Sequence, residues 1–228
     1  MILVSGGIKG GSGKTTLATN LTVMRAFVER RVLLVDADEQ KSASHWAEQR
    51  ENSGIETNWS TIRLEGNNLH KQIERLRDNY DDIIIDVGGR DTTSQRSALA
   101  IADIFLVPFK PRSFDIWTIG PLNSLISQMK NANKDLNVIA VINQADTKGE
   151  DNNAALEVLS ECTDIKCCPV NIVHRKAFAN AASSGQSVVE MKVQDKKAVQ
   201  EMISLYKFIY NGHIHGIHEK GIKDMLNE

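Results

Sequence analysis

Residues 2–28 constrain this chain more than any other stretch. A short apolar run, Ile2 to Ser5, meets the glycine-rich segment GGIKGGSGKTT (Gly6 to Thr16), and a helical pattern then continues from about Gly13 to Val28. Glycines let a backbone close tightly without a Cβ clash, and the first N–H groups of a helix have no partner within it. A strand, a glycine turn and a helix in this order form one unit, and that unit can surround an anion.

The rest of the chain repeats the alternation. Strands are expected at Ile2 to Ser5, Val32 to Asp36, Asp82 to Val87, Ile104 to Pro108, Val138 to Asn143 and Ile165 to Pro169. Their nearly continuous apolar character suits strands buried on both faces. Helical stripes are read from Leu69, Ile73, Leu76 and Tyr80, from Phe114, Trp117, Leu122, Leu125 and Met129, and from Ala198, Val199, Met202, Ile203, Tyr206 and Ile209. The stretch from Asn52 to Gly66 shows no clear period. The expected fold is α/β, with a mostly parallel central sheet between two layers of helices. Residues 1–211 are read as one domain and 212–228, with glycines at 212, 216 and 221, as a weakly structured tail.

Composition excludes several classes. Hydrophobic residues make up 41% and charged residues 25%, as in a folded globular chain, and no apolar run approaches the roughly 20 residues that span a bilayer. Cys162, Cys167 and Cys168 suggest neither a disulfide framework nor a CxxC metal site. With no basic stretch leading into a long apolar segment, a cytoplasmic location is expected. A net charge of -2 argues against a wholesale electrostatic hold on nucleic acid.

The chemistry-bearing residues cluster around phosphate. Backbone N–H groups of Gly10, Gly11, Ser12, Gly13, Lys14, Thr15 and Thr16 are expected to cradle it, with Lys14 reaching the β- and γ-phosphates and the Thr15 hydroxyl reaching Mg²⁺. LLVDADEQ places Asp36 and Asp38 at the end of a buried strand, where ligands bind in open α/β sheets. DDIIIDVGG closes another strand on Asp86, the position of a carboxylate that holds Mg²⁺ through water.

The loop is unusual in carrying a second lysine. KGGSGKT (Lys9 to Thr15) matches the deviant Walker-A pattern KGGxxK[ST], and with LLVDADEQ and the Asp86 strand the chain resembles the ParA/MinD family of P-loop ATPases. It is most similar to short ParA proteins such as ParF. The resemblance runs to about residue 210 and includes PFKPRSFDI (Pro108 to Ile116) and RKAFANAASSGQSVVE. It implies a Mg²⁺-dependent ATPase that closes as a sandwich homodimer around ATP. Lys9 would touch the partner's phosphates, Asp38 would position the attacking water, Asp36 would act on Mg²⁺ in its outer sphere, and Asn143 would contact the adenine, with Pro169 to Ile172 as the other wall. Two departures stand out: Glu39 replaces the family's proline, and Gly88 and Gly89 follow Asp86 where many members have two prolines. Glycines there permit a larger backbone swing.

For function, the resemblance implies partition of a plasmid or chromosome on the nucleoid, with a ParB-like or other adaptor stimulating hydrolysis. Non-specific DNA binding is assigned to residues 166–197, where Lys166, Arg175, Lys176, Lys192, Lys196 and Lys197 face only Glu190 and Asp195. Alternatives are a positioning or conjugation-accessory ATPase acting on a protein cargo, a MinD-like membrane-associated ATPase, and a ligase of the dethiobiotin-synthetase kind. The tail, NGHIHGIHEKGIKDMLNE, lacks the strongly basic face of a membrane anchor, so membrane attachment is not expected. His213, His215 and His218 within it lack a scaffold for a metal.

Overall fold

The computed structural model describes residues 1–111, 118–147 and 151–210. Eight strands, β1 (Ile2–Ser5), β2 (Val32–Ala37), β3 (Ser60–Arg63), β4 (Asp82–Val87), β5 (Ile104–Phe109), β6 (Asn137–Ala145), β7 (Ile165–Cys167) and β8 (Ile172–Val173), form one sheet. Its order is β3-β2-β4-β1-β5-β6-β7, with β8 also pairing β6, and every pairing is parallel. The helices are α1 (Lys14–Phe27), α2 (Ser42–Asn52), α3 (Leu69–Leu76), α4 (Thr93–Leu99), α5 (Ile119–Ala132), α6 (Asp151–Ser160), α7 (Lys176–Ser183) and α8 (Lys196–Tyr210).

Alternate strand residues feed two cores, because successive side chains on a strand point to opposite faces. Leu3, Leu34, Ile84, Leu106 and Val141 pack with α1, α2, α7 and α8. Val4, Leu33, Ile85, Phe105 and Ala140 pack with α3 to α6 on the other face. The three-layer arrangement expected from the sequence is therefore the one observed.

The differences have local causes. Strand β3 lies within the 52–66 stretch that shows no period, because an edge strand of four residues, none of them fully buried, has no apolar pattern to show. Strand β7 ends at Cys167, short of the expected Pro169. Tyr80 lies past the 3₁₀ turn Arg77–Asn79 in extended backbone, so it is not on the helix its spacing suggested. The expected helical residues Phe114 and Trp117, most of the PFKPRSFDI segment and the histidine-containing tail lie outside the described residues. Among the described residues, no helix is long and apolar enough to cross a membrane.

Strand β1 is central. The chain leaves it for β2 on one side, and after β4 it passes to β5 on the other, so a crevice opens at the carboxyl ends of β1, β2 and β4.

Candidate functional site

That crevice is a cleft of about 890 Å³, lined by Gly10, Gly11 and Gly13 to Thr16, by residues between Ala37 and Ser42, by Glu65 and Gly66, by residues between Gly88 and Ser94, and by Gln144. The loop is built from backbone. Gly13 has φ +94°, and a Cβ there would come within 2.1 Å of Asn143 Nδ2, so no other residue fits. Among the described residues, no acceptor is found for the N–H groups of Gly10 to Gly13. They stand at the start of α1, as a phosphate site requires.

Lys14 is buried at 6% exposure, and its amine donates to the Lys9 carbonyl oxygen at 3.0 Å. Burial pulls its pKa below the ordinary lysine value, Asp86 and Asp38 pull it back up, and Lys110 adds to the depression. Asp86 is fully buried. Its Oδ2 accepts the Thr15 hydroxyl at 2.6 Å, while Oδ1 has no partner. Desolvation, aided by the nearby Asp36, pushes its carboxyl up to about 7 against the Thr15 hydrogen bond. An unpartnered carboxylate oxygen next to a hydroxyl suits a hard divalent cation. Among the described residues no cluster of three or more ligating side chains could hold a metal alone, so Mg²⁺ here would complete its shell with water and phosphate oxygens, as this ion prefers.

Asp36 and Asp86 are register neighbours on β2 and β4. Both Asp36 oxygens are already engaged: Oδ1 accepts the Asp38 N–H at 3.1 Å and Oδ2 the Ser44 N–H at 2.7 Å. Asp36 thus fastens the start of α2 and aims Asp38, whose Oδ1 accepts the Gln40 N–H and would lie 3.2 Å from a Cβ at Gly88. Gly89 touches the loop directly, since a Cβ there would fall 2.5 Å from Gly10 N. Gly89 is therefore also a steric requirement, whereas a Cβ at Gly88 would meet only the Asp38 side chain.

Asn143 is only 4% exposed and donates from Nδ2 to the Ser12 carbonyl at 2.6 Å, so it braces the loop from behind. Ile172, expected on the opposite wall, is buried in β8 under the core. Sequence reasoning missed Gln144, which donates to the Gly11 carbonyl at 3.0 Å, and Gln95, whose Oε1 accepts the Gly7 N–H at 3.0 Å. Glutamine after Asn143 at a strand end was the only available hint of the first.

The basic residues of the 166–197 segment differ in their surroundings. Arg175 is paired with Glu201 at 2.6 Å, and Lys166, opposite Ile139 in the first half of β6, stacks on Phe208. Lys176, Lys192, Lys196 and Lys197 remain exposed. Glu190 pairs with Arg50, and Asp195 caps α8 by accepting from Lys197 N and Ala198 N.

A glycine loop between a central parallel strand and a helix, flanked by carboxylates at neighbouring strand ends, defines a P-loop nucleotide-binding protein. The profile of the CobQ/CobB/MinD/ParA nucleotide binding domain matches residues 3–188, and the chain belongs to that family. It is 23% identical over 197 residues to a maintenance of carboxysome distribution protein A from Halothiobacillus neapolitanus, covering 86% of this chain and 89% of that protein. The fold resembles an ATP complex of a Cyanothece McdA variant, at TM-score 0.76 and 16% identity over 92% of this chain and 96% of that one. It also resembles a putative plasmid partition protein from Borrelia burgdorferi bound to AMPPNP, at TM-score 0.69 and 17% identity over 92% and 98%.

Proposed function

We propose that this chain is an ATP-hydrolysing positioning protein of the ParA type. Two copies close face to face on Mg²⁺-ATP, the dimer binds DNA as a carrier, and hydrolysis stimulated by an adaptor releases it. The observation that carries this reading is the loop itself, which buries Lys14 toward the cleft and sets Lys9, five residues earlier, along a separate small crevice. Residues 1–211 act as one domain in this reading, with 212–228 as a separate tail, in a cytoplasmic protein that associates with the nucleoid.

In this reading the labour is divided as follows, and the geometry of the loop and strand ends supports it. The N–H groups of Gly10 to Thr16 and the Lys14 amine hold the phosphates, and Asn143 and Gln144 keep the loop in shape behind them. Thr15 and Asp86 hold Mg²⁺, Asp36 supports them through the outer sphere, and the bound ion would neutralise charge on the transferring phosphoryl group. Asp38, set against Gly88, orients the attacking water, and Lys9 supplies a cation to the partner's phosphates. Phosphoryl transfer needs placement and charge more than covalent help, which this set of groups supplies.

The exposed Lys176, Lys192, Lys196 and Lys197 support the DNA carrier, through contacts to phosphate that salt should weaken. Partition of a plasmid or chromosome is one cargo consistent with this cycle. A protein assembly is the other, favoured by the similarity to the carboxysome distribution protein over most of both chains. The test is Lys9→Ala. With a non-hydrolysable ATP analogue, sedimentation should show dimers for the unaltered protein and monomers for the variant, while single-subunit nucleotide binding persists. Normal dimers in Lys9→Ala would overturn the reading.

A further inference from the structure

We propose that Lys110 is a second lysine acting between subunits: with Lys9, it faces the polyphosphate held by another copy of this chain. This rests on the dimer reading above and adds a residue to it.

Lys110 follows the last residue of β5 and reaches back to the glycine loop, where a Cβ built on Gly11 would lie 3.7 Å from its Nζ. It is only half-buried, and among the described residues no carboxylate pairs with it. Another cation, Lys14, belongs to the same loop, its amine donating to the Lys9 carbonyl. Two amines of like charge around one short loop repel each other unless an anion lies between or beside them.

The position of Lys110 says where that anion is. Its side chain does not line the main cleft, in which Lys14 awaits the subunit's own phosphates. It lines a separate small crevice on the other side of the loop, together with Lys9 and Ser12. Its amine lies beside Gly11, which borders the main cleft, and a cation on that edge of the loop can also meet a phosphate presented from outside. A nucleotide carried by a second copy is such an anion. It brings several charges to the one side of the loop where Lys9 and Lys110 stand together, and each charge-assisted contact is worth more once water is excluded between the subunits.

The experiment compares Lys110→Gln and Lys110→Arg with the unaltered protein, using sedimentation equilibrium with a non-hydrolysable ATP analogue and Mg²⁺, and separately ADP binding to monomers. Lys110→Gln should weaken the dimer about tenfold or more and shift monomer ADP affinity less than about twofold, while Lys110→Arg keeps most of the dimer affinity. The loss should shrink as salt is raised. An unchanged dimer constant, or an ADP affinity that falls as far as the dimer constant, would overturn the proposal. So would an intact dimer whose co-sedimentation with DNA is lost, which would make Lys110 a nucleic-acid contact. Failure of the unaltered protein to dimerise with ATP would remove the functional reading and this one together, whereas Lys9-dependent dimers indifferent to Lys110 would remove this one alone.

Discussion

Strand β4 buries a carboxylate at each end, and the molecule treats the two in opposite ways. Asp82, at its start, is 1% exposed and accepts Arg25 Nε and Nη2 at 2.8 and 2.6 Å, with Arg30 at 3.4 Å and the chain's amino terminus at 3.9 Å. Arg25 in turn donates to the Tyr206 hydroxyl at 2.8 Å and lies over the Tyr210 ring at 4.3 Å. Asp86, four residues on, is equally buried and has one hydroxyl donor, one empty oxygen and a second carboxylate, Asp36, beside it. Burial is the same, and neutralisation is not. At one end the protein satisfies its own charge and fastens α1 and α8 to the sheet. At the other it leaves a charge for a ligand to satisfy, and that end is the nucleotide cleft.

The sharpest way to break this contrast is Arg25→Ala. It strands Asp82 in the core, and removal of one partner of a buried pair costs about 3–5 kcal/mol. Urea unfolding should show that loss, and a loss under about 1 kcal/mol would mean that Asp82 is not held as described. Asp86→Asn should act in the opposite direction. The folded Asp86 keeps its proton up to about pH 7, whereas the unfolded carboxyl releases it near the ordinary aspartate value of 3.8. Folding stability therefore falls as pH rises between those values, and the full penalty is present above pH 7. Without nucleotide or Mg²⁺, the asparagine variant should be more stable at pH 8 by roughly 2–4 kcal/mol, with the difference fading toward pH 4. A difference independent of pH would show that Asp86 is not an uncompensated charge. Asn143→Ala should have the smallest effect of the three, about 1–3 kcal/mol, because it leaves the buried Ser12 carbonyl without its donor. It should also weaken ADP binding by loosening the loop, and isothermal titration showing unchanged affinity would remove its bracing role.

The residues that local sequence revealed share one property. Lys9, Lys14 and Thr15 sit in a contiguous loop, and Asp36, Asp38 and Asp86 end apolar runs whose direction a parallel sheet dictates. Their chemistry follows from a few neighbouring residues, so the nucleotide cleft was legible along with the three-layer fold. The edge strand β3 and the short β8 were not, because neither has enough buried positions to leave a pattern.

What tertiary structure alone decided is which distant groups satisfy one another. Gln95 reaches Gly7 across 88 positions, Asn143 reaches Ser12 across 131, and Arg25 meets Tyr206 across 181. Type and spacing cannot show which distant backbone carbonyl an asparagine at a strand end will reach, nor whether Arg175 is open to a partner or tied to Glu201. Those outcomes depend on which polar groups burial brings within hydrogen-bond reach, since a buried group must find a partner wherever the chain supplies one. The amino-acid order by itself determined that a glycine loop would join a central strand to a helix, beside carboxylates at neighbouring strand ends. The folded arrangement determined what braces that loop, which charge is left unsatisfied, and on which side of the glycines Lys110 stands.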